Sequence, residues 1–268
     1  MRDPEKPIVL KIYGDSLSLP RPFEGIEYGE EYCLLAGTEI ESILGRKIKV
    51  YNRSFGGATV ERLSKQFRDD RNYLGDGGIV VIQCGVVDCA PRPLPSLMRR
   101  ALGYFPGIVR KPVVKFLHDN RALILKKGLG TRLTSPSKFG KRLRAWIEEA
   151  SASHDMVLVI NIAPTNQKTE DHSPGFSASI NRYNEIIRAA VSSVGRANVV
   201  QVDVNRAISD EINGLDTFVN AGDGHHITRK GHILYGKALS REVGNISQKL
   251  LSERQNEEEN KTRNEIYR

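Results

Sequence analysis

The sequence predicts an α/β protein with about five parallel strands, helices on both faces of the sheet, and a basic helical insertion between the third and fourth strands. Two observations lead there. Short apolar runs of strand length recur, and between them lie stretches whose apolar residues fall at steps of three or four. One interval, between the third and fourth runs, spans about seventy residues, where a single crossover helix needs far fewer.

The strands are expected at Ile8 to Tyr13, Ile48 to Tyr51, Ile79 to Gln83, Met156 to Ile162 and Val199 to Val202. The first helix is expected over Glu30 to Leu44, with Cys33, Ala36, Ile40, Ile43 and Leu44 on its apolar side. The second follows near Thr59 to Phe67, with Val60, Leu63 and Phe67 on one face. Ser179 to Val194 spaces Ile180, Tyr183, Ile187, Ala190 and Val194 for a helix, and His232 to Leu251 repeats the pattern with Leu234, Ala238, Val243, Ile246 and Leu250. In such a sheet the crossovers are right-handed and ligands gather outside the carboxyl ends of the strands.

The long interval is punctuated by Pro91, Pro93, Pro95, Pro106, Pro112 and Pro136, with helices expected near Leu97 to Tyr104, Val113 to Lys127 and Lys138 to Ser151. It reads as an insertion, 91–144, packed over one end of the sheet of a single domain, 1–251. Residues 252–268 are polar and mixed in charge, and read as a flexible tail.

The chain has 268 residues, 39% of them hydrophobic, enough for one large core and too many for a wholly disordered chain. With 24 Gly and 12 Pro it is no collagen, and with three cysteines, Cys33, Cys84 and Cys89, no disulfide scaffold. No stretch has the apolar length of a membrane span, and the start lacks the apolar core of a secretory signal. A cytoplasmic location is the expectation. The net charge of +8 is uneven. Arg92 to Arg144 holds 14 Lys and Arg against one acid, Asp119, so that segment carries +13 and the remainder −5. It is a local field for anions.

Four strand ends carry polar or glycine-rich blocks. The first strand ends in Gly14-Asp15-Ser16. The second is followed by Asn52-Arg53-Ser54-Phe55-Gly56-Gly57, and the third by Gly85-Val86-Val87-Asp88. Asp223-Gly224-His225-His226 precedes the last helix. A serine hydroxyl needs a base within hydrogen-bond reach, and the base needs a group that holds its tautomer. Ser16, His226 and Asp223 are residues of those three kinds. This chemistry calls for no metal or cofactor. His225 and His232 read as packing or hydrogen-bonding residues, since no HExxH, paired CxxC or carboxylate triad completes a zinc site. Cys84 and Cys89 read as small buried residues.

These blocks, in this order over positions 14 to 232, resemble the SGNH hydrolases, also called the GDSL esterase/lipase family. The resemblance implies a flavodoxin-like three-layer α/β/α fold. It implies a catalytic triad of Ser16, Asp223 and His226, and an oxyanion hole built from the amides of Ser16 and Gly57. Asp15, Asn52, Gly85, Asp88 and Asn161 are the further candidates for substrate contact. One position departs from the family pattern. The third block is Gly-x-Asn-Asp in the family, and here its Asn is replaced by Val87, which has no donor. Loss of one such donor costs about 10²–10³ in rate in a well-studied hydrolase. Asn161 and Asn166 are the candidates to replace it.

The resemblance implies hydrolysis of a short acyl ester, acetyl foremost, through an acyl-enzyme, with a small ester or acylated sugar as substrate. The alternatives are an O-acyltransferase using the same triad and a non-catalytic module of the same fold. For segment 92–144 an anionic substrate, an acidic polymer or an anionic membrane surface is the expected partner, with Leu97, Leu102, Tyr104, Phe105, Phe116 and Leu117 on the apolar side. Nucleic acid ranks last, because no nucleic-acid fold accompanies the charge.

Overall fold

The structure, a computed structural model, describes residues 6–211 and 214–266. Residues 1–5, at the head of the expected domain, and 267–268, at the end of the expected tail, lie outside the described residues. Five strands, β1 (Ile8–Tyr13), β2 (Ile48–Asn52), β3 (Ile79–Gln83), β4 (Met156–Ile160) and β5 (Val199–Val202), form one parallel sheet in the order β2-β1-β3-β4-β5. That is the flavodoxin-like order, and it reverses direction between β1 and β3. The expected class is therefore observed, with strand ends within two residues of the apolar runs.

Alternate residues of the central strands feed two cores, as the period of a strand requires. Val80, Ile82, Val157 and Val159 face α2 (Val60–Leu74), α7 (Pro136–Ser153) and α9 (Phe176–Val194). Leu10, Ile12, Val81, Leu158 and Ile160 face α1 (Tyr32–Leu44), α10 (Val204–Ser209) and α11 (Arg229–Ile266). Strands covered on both faces read as unbroken apolar runs, which is why they were legible. The exception is Lys11 in the middle of β1. It is buried, and its Nζ donates to Gly75 O at 2.5 Å and meets His154 Nε2 at 3.0 Å. Burial, with the Lys11 charge second, pushes the His154 imidazole down to about 4.

The long interval differs from expectation. Residues 86–126 form α3 (Val86–Cys89), α4 (Ser96–Gly103), α5 (Gly107–Asp119) and α6 (Arg121–Lys126). The helix expected from Val113 starts at Gly107 and runs through Pro112, because a proline in an exposed helix removes one backbone bond whose carbonyl water can satisfy. It stops at Asn120, whose Nδ2 donates to Phe116 O at 2.9 Å and competes with the helical ladder. The expected boundary at 144 falls inside α7. That helix buries Phe139, Leu143, Trp146, Ile147 and Ala150 on the sheet, so it is the ordinary crossover, and the excess is 91–135. At the other end α11 continues as helix to Ile266, where a frayed tail was expected. The stretch is polar but rich in Glu, Gln, Lys and Arg, which are good helix formers, so its composition predicts lack of packing and not lack of helix.

Candidate active site

The first block leaves β1 at the point where strand order reverses. Gly14 is required there, since a Cβ would come within 2.0 Å of Ser18 Oγ and 2.8 Å of Gln83 Oε1. Asp15 caps the following turn, its Oδ1 accepting from Leu17 N at 3.0 Å, and its own N–H donates to Gln83 Oε1 at 3.0 Å. Ser18 Oγ donates to the same Gln83 oxygen and sits 2.7 Å from Tyr32 OH. Ser16 is the first residue of this turn, so its N–H has no partner within the turn and is free to face an anion.

The last block is a turn tied to α8 (Gln167–His172). Thr169 Oγ1 donates to Asp223 O at 2.7 Å and Thr165 Oγ1 to Gly224 O at 2.6 Å. A Cβ on Gly224 would lie 1.8 Å from Thr169 Oγ1, so only glycine fits this turn, at φ +67°. The antiparallel bridge between Val219 and Ile227 closes the loop. His226 Nε2 thereby comes 2.9 Å from Ser16 Oγ, and His226 Nδ1 lies 2.5 Å from Asp223 Oδ2. Asp223 Oδ1 accepts the backbone N–H groups of His226 at 3.0 Å and His225 at 3.1 Å. Burial alone would raise the Asp223 carboxyl, but these hydrogen bonds outweigh it and hold the group well below the ordinary carboxylate range.

Hydrogen bonding fixes the tautomer of His226. An ionised carboxylate only accepts, so Nδ1 carries the proton. Arg21 Nη1 lies 2.9 Å from Nε2 and can only donate, so Nε2 bears the lone pair. That lone pair also receives the Ser16 hydroxyl. Arg21 was not among the residues singled out from sequence, although it stands five positions after the serine in the same loop. It is held by Glu24, which accepts from Asn220 Nδ2 at 2.9 Å.

The oxyanion side is less complete. Asn52 ties the second block to the first: its Nδ2 donates to Ser18 O at 2.6 Å and its Oδ1 accepts from Ser54 N at 3.1 Å. Phe55 N donates to Gly14 O at 3.1 Å, so the segment leading to Gly57 runs beside Ser16. Gly57 itself sits in an exposed turn at φ +69°. Val87 is half-buried in α3.

The five further candidates belong to the framework and do not line the cavity at Ser16, a correction to the sequence reading. Asp15 is buried, and burial pushes its carboxyl up to about 6. Asp88 is also buried and raised to about 6, accepting Val60 N at 3.0 Å at the start of α2 and the Thr134 hydroxyl. Asn52 bridges the two loops. Gly85 packs against Ile162, whose Cδ1 would lie 2.7 Å from an added Cβ. Asn161 is occupied by Asp203 Oδ1 at 2.7 Å and Asn205 N at 3.1 Å. Asn166 caps α8, its Oδ1 accepting from Thr169 N at 3.0 Å, and its Nδ2 donates to Asp216 Oδ1 at 3.4 Å. Neither asparagine is therefore free to replace the donor missing at Val87.

Ser16 opens into a cavity of about 750 Å³. Its lining includes apolar Val86, Val87, Ala90 and Phe176 and basic Arg92, Arg121, Lys168 and His172. A second hollow, of about 820 Å³, lies between α10 and α11, but no Ser, Cys or His lines it. Among the described residues, Asp223, His225 and His226 are the group whose donor atoms lie close enough to share a cation. Two of those atoms already bond each other across the 2.5 Å contact, so a cation there would displace the base from its carboxylate. His232, the other histidine of this region, accepts from Tyr32 N at 3.0 Å, and burial pushes it down to about 4.

A serine, a histidine of fixed tautomer and an ionised aspartate, chained at the switch point of a flavodoxin-like sheet, define the serine hydrolases of this architecture. The family model for GDSL-like lipases and acylhydrolases matches residues 12–234, and the chain belongs to that SGNH/GDSL-like family, an enzyme of ester bonds. Among solved structures it is similar to a lipase/acylhydrolase from Enterococcus faecalis, at 17% identity over 89% of this chain and 96% of that one, TM-score 0.59. An acetylxylan esterase from Geobacillus stearothermophilus matches at 16% identity over 88% and 94%, TM-score 0.57. A member of the lipolytic G-D-S-L family from Veillonella parvula matches at 15% over 86% and 94%, TM-score 0.55. At such identities the likeness is one of fold. No curated protein matches the sequence. Among the described residues, no helix is long and apolar enough to cross a membrane.

Proposed function

We propose that Ser16, His226 and Asp223 are the catalytic triad of a serine esterase that removes a short acyl group, acetyl foremost, from a hydroxyl-bearing alcohol such as a sugar. The observation that carries this is the chain of contacts from Ser16 Oγ to His226 Nε2 at 2.9 Å and from His226 Nδ1 to Asp223 at 2.5 Å, opening into a cavity. Ser16 Oγ attacks the ester carbonyl carbon while Nε2 takes its proton. The tetrahedral oxyanion faces the amides of Ser16 and Gly57. Collapse breaks the bond to the alcohol oxygen, which leaves with the proton from Nε2, and the acyl group stays on Ser16. Water, deprotonated by Nε2, then attacks the acyl carbon and frees the serine. Arg21 yields its contact whenever Nε2 is protonated, since both groups are then donors. The apolar wall of Val86, Val87 and Ala90 suits the acyl group, and Thr169, Ser173 and Gly222 leave polar room for the alcohol. A sugar hydroxyl in place of water would make the same acyl-enzyme a transferase; product analysis with and without an acceptor alcohol separates the two. The triad assignment is tested with 4-nitrophenyl acetate. Ser16→Ala and His226→Ala are expected to abolish turnover, and wild-type activity in Ser16→Ala would remove it.

A second reading concerns the insertion. Helices α4 and α5 and the turn between them carry exposed Leu97, Tyr104 and Ile108, at 75%, 91% and 84% of full exposure, interspersed with exposed cations such as Arg100, Arg110, Lys111 and Lys115. Apolar side chains beside cations suit the surface of an anionic membrane better than a soluble polymer. Vesicles of phosphatidylglycerol are expected to sediment the protein at low salt and vesicles of phosphatidylcholine are not. Equal binding to both, or to neither, would count against it.

A further inference from the structure

The basic residues lining the cavity pose a charge problem. Arg92 sits at the root of the insertion, its backbone paired with Thr131 through two 2.8 Å bonds. Its guanidinium is partly buried, its Nε is shielded from solvent, and among the described residues its side chain makes no hydrogen bond or ion pair. Arg99 has a shielded, unpartnered Nε as well. Arg121 is fixed by Ser173 Oγ at 2.7 Å and Pro91 O at 2.5 Å, both neutral acceptors. Among the described residues none of the three forms an ion pair. Burial, and then the charges of Arg99 and Arg121, push the Arg92 guanidinium below its ordinary value. Grouped cations shielded from water without a carboxylate are costly, and the cost is offset when an anion binds. Of the acids lining the cavity, Asp223 is committed to His226, and Asp171 is exposed and accepts from Gln167 Nε2 at 2.8 Å. The planar fork of arginine matches the paired oxygens of a carboxylate or phosphate.

We propose that Arg92 and Arg121 form an anion subsite in the catalytic cavity, so that the ester this enzyme cleaves carries a phosphate or carboxylate group. The proposal rests on the esterase reading of Ser16, because both arginines and the serine line one cavity of about 750 Å³, a size one small molecule spans. Arg92 does the recognition, having nothing else to bind. Arg121 is a preset second donor. The positive wall also draws the anion inward before the ester reaches Ser16.

The test separates binding from turnover. Inorganic phosphate is titrated by calorimetry, at ionic strength fixed with chloride, into wild type, Ser16→Ala, Arg92→Gln and Arg92→Lys. Wild type and Ser16→Ala are expected to bind alike, Arg92→Gln about tenfold or more weaker, and Arg92→Lys in between. Arg92→Gln is also expected to melt no lower than wild type without phosphate, since an unpaired buried charge has gone, and to gain less on adding phosphate. Two substrate pairs then locate the anion. 4-Nitrophenyl hemisuccinate against 4-nitrophenyl acetate places it on the acyl side. An acetylated sugar phosphate against the same acetylated sugar places it on the alcohol side. In one pair the anionic member is expected to have the higher kcat/KM, and that preference to fall about tenfold in Arg92→Gln. Equal phosphate binding by wild type and Arg92→Gln, or a marked fall in the melting temperature of Arg92→Gln, overturns the subsite. Phosphate bound with no anionic preference in either pair overturns the substrate assignment. Phosphate bound with no ester hydrolysed at all upholds the anion site and overturns the esterase reading instead.

Discussion

Asp223→Asn removes one charge and replaces one acceptor with a donor, and the structure says how the loop will respond. In the native turn Oδ1 accepts two backbone N–H groups, at 3.0 and 3.1 Å, and Oδ2 accepts His226 Nδ1 at 2.5 Å. The asparagine has one carbonyl for these two duties. If its oxygen turns to the imidazole, its NH₂ faces two backbone donors, and two part-buried N–H groups lose their acceptor, at up to about 1–3 kcal/mol each. If its oxygen stays on the backbone, its NH₂ faces Nδ1, and the proton must move to Nε2. The second outcome costs a tautomer shift and the Arg21 contact at 2.9 Å, and it is the cheaper one. It also leaves Nε2 unable to accept the Ser16 proton. The equivalent change in serine proteases lowers kcat by about 10⁴ for this reason. A loss of about 10³–10⁴ in kcat for 4-nitrophenyl acetate is expected here, or about 4–5.5 kcal/mol of barrier, with far less change in KM. The loss should stay short of that in Ser16→Ala. A folded Asp223→Asn enzyme within tenfold of wild-type kcat would refute the tautomer argument.

Two further predictions rest on single residues. Val87 is half-buried and lines the cavity beside Ser16, so Val87→Asn is expected to hold or raise kcat on a neutral ester by adding a donor for the oxyanion; a variant that melts like wild type but is inactive would show a differently built hole. Burial raises the Asp88 carboxyl to about 6, so its protonated form is favoured in the fold, and its contribution is full below the unfolded value near 4 and lost as pH rises through 6. Asp88→Asn removes that loss, so its stability relative to wild type should improve by up to about 3 kcal/mol from pH 4 to pH 7 in urea titrations. A difference that is flat with pH would contradict it.

The sheet was legible because strands sealed on both faces leave continuous apolar runs, and the turns at Gly14 and Gly224 were legible because only glycine fits them. Ser16, Asp223 and His226 could be proposed together because the first block follows β1 and the last precedes α11, in the order the family keeps. What a sequence withholds is the direction of each side chain. Asp15, Asn52, Asp88 and Asn161 also stand at strand ends, yet each turns inward to satisfy backbone or side-chain groups of a neighbouring loop. Arg21 was hidden for the converse reason: nothing in its local pattern says that the loop after Ser16 folds its guanidinium back onto His226. The basic charge of the insertion misassigned α7, whose cations lie on one face while Phe139, Leu143 and Trp146 on the other make it the crossover helix. Lys11 interrupts an apolar strand, and its partners, Gly75 and His154, are 64 and 143 positions away, beyond any local signal.

The central claim is that the Ser16 hydroxyl is activated by His226. It is tested most directly by intact-mass measurement after exposure to an organophosphonate, which forms a stable bond only with an activated serine oxygen. Wild type is expected to gain the mass of one phosphonyl group, with the adduct mapping to the peptide that contains Ser16. Ser16→Ala should gain none, and His226→Ala should react far more slowly. An unmodified wild type, or an adduct that persists in Ser16→Ala, would contradict the account.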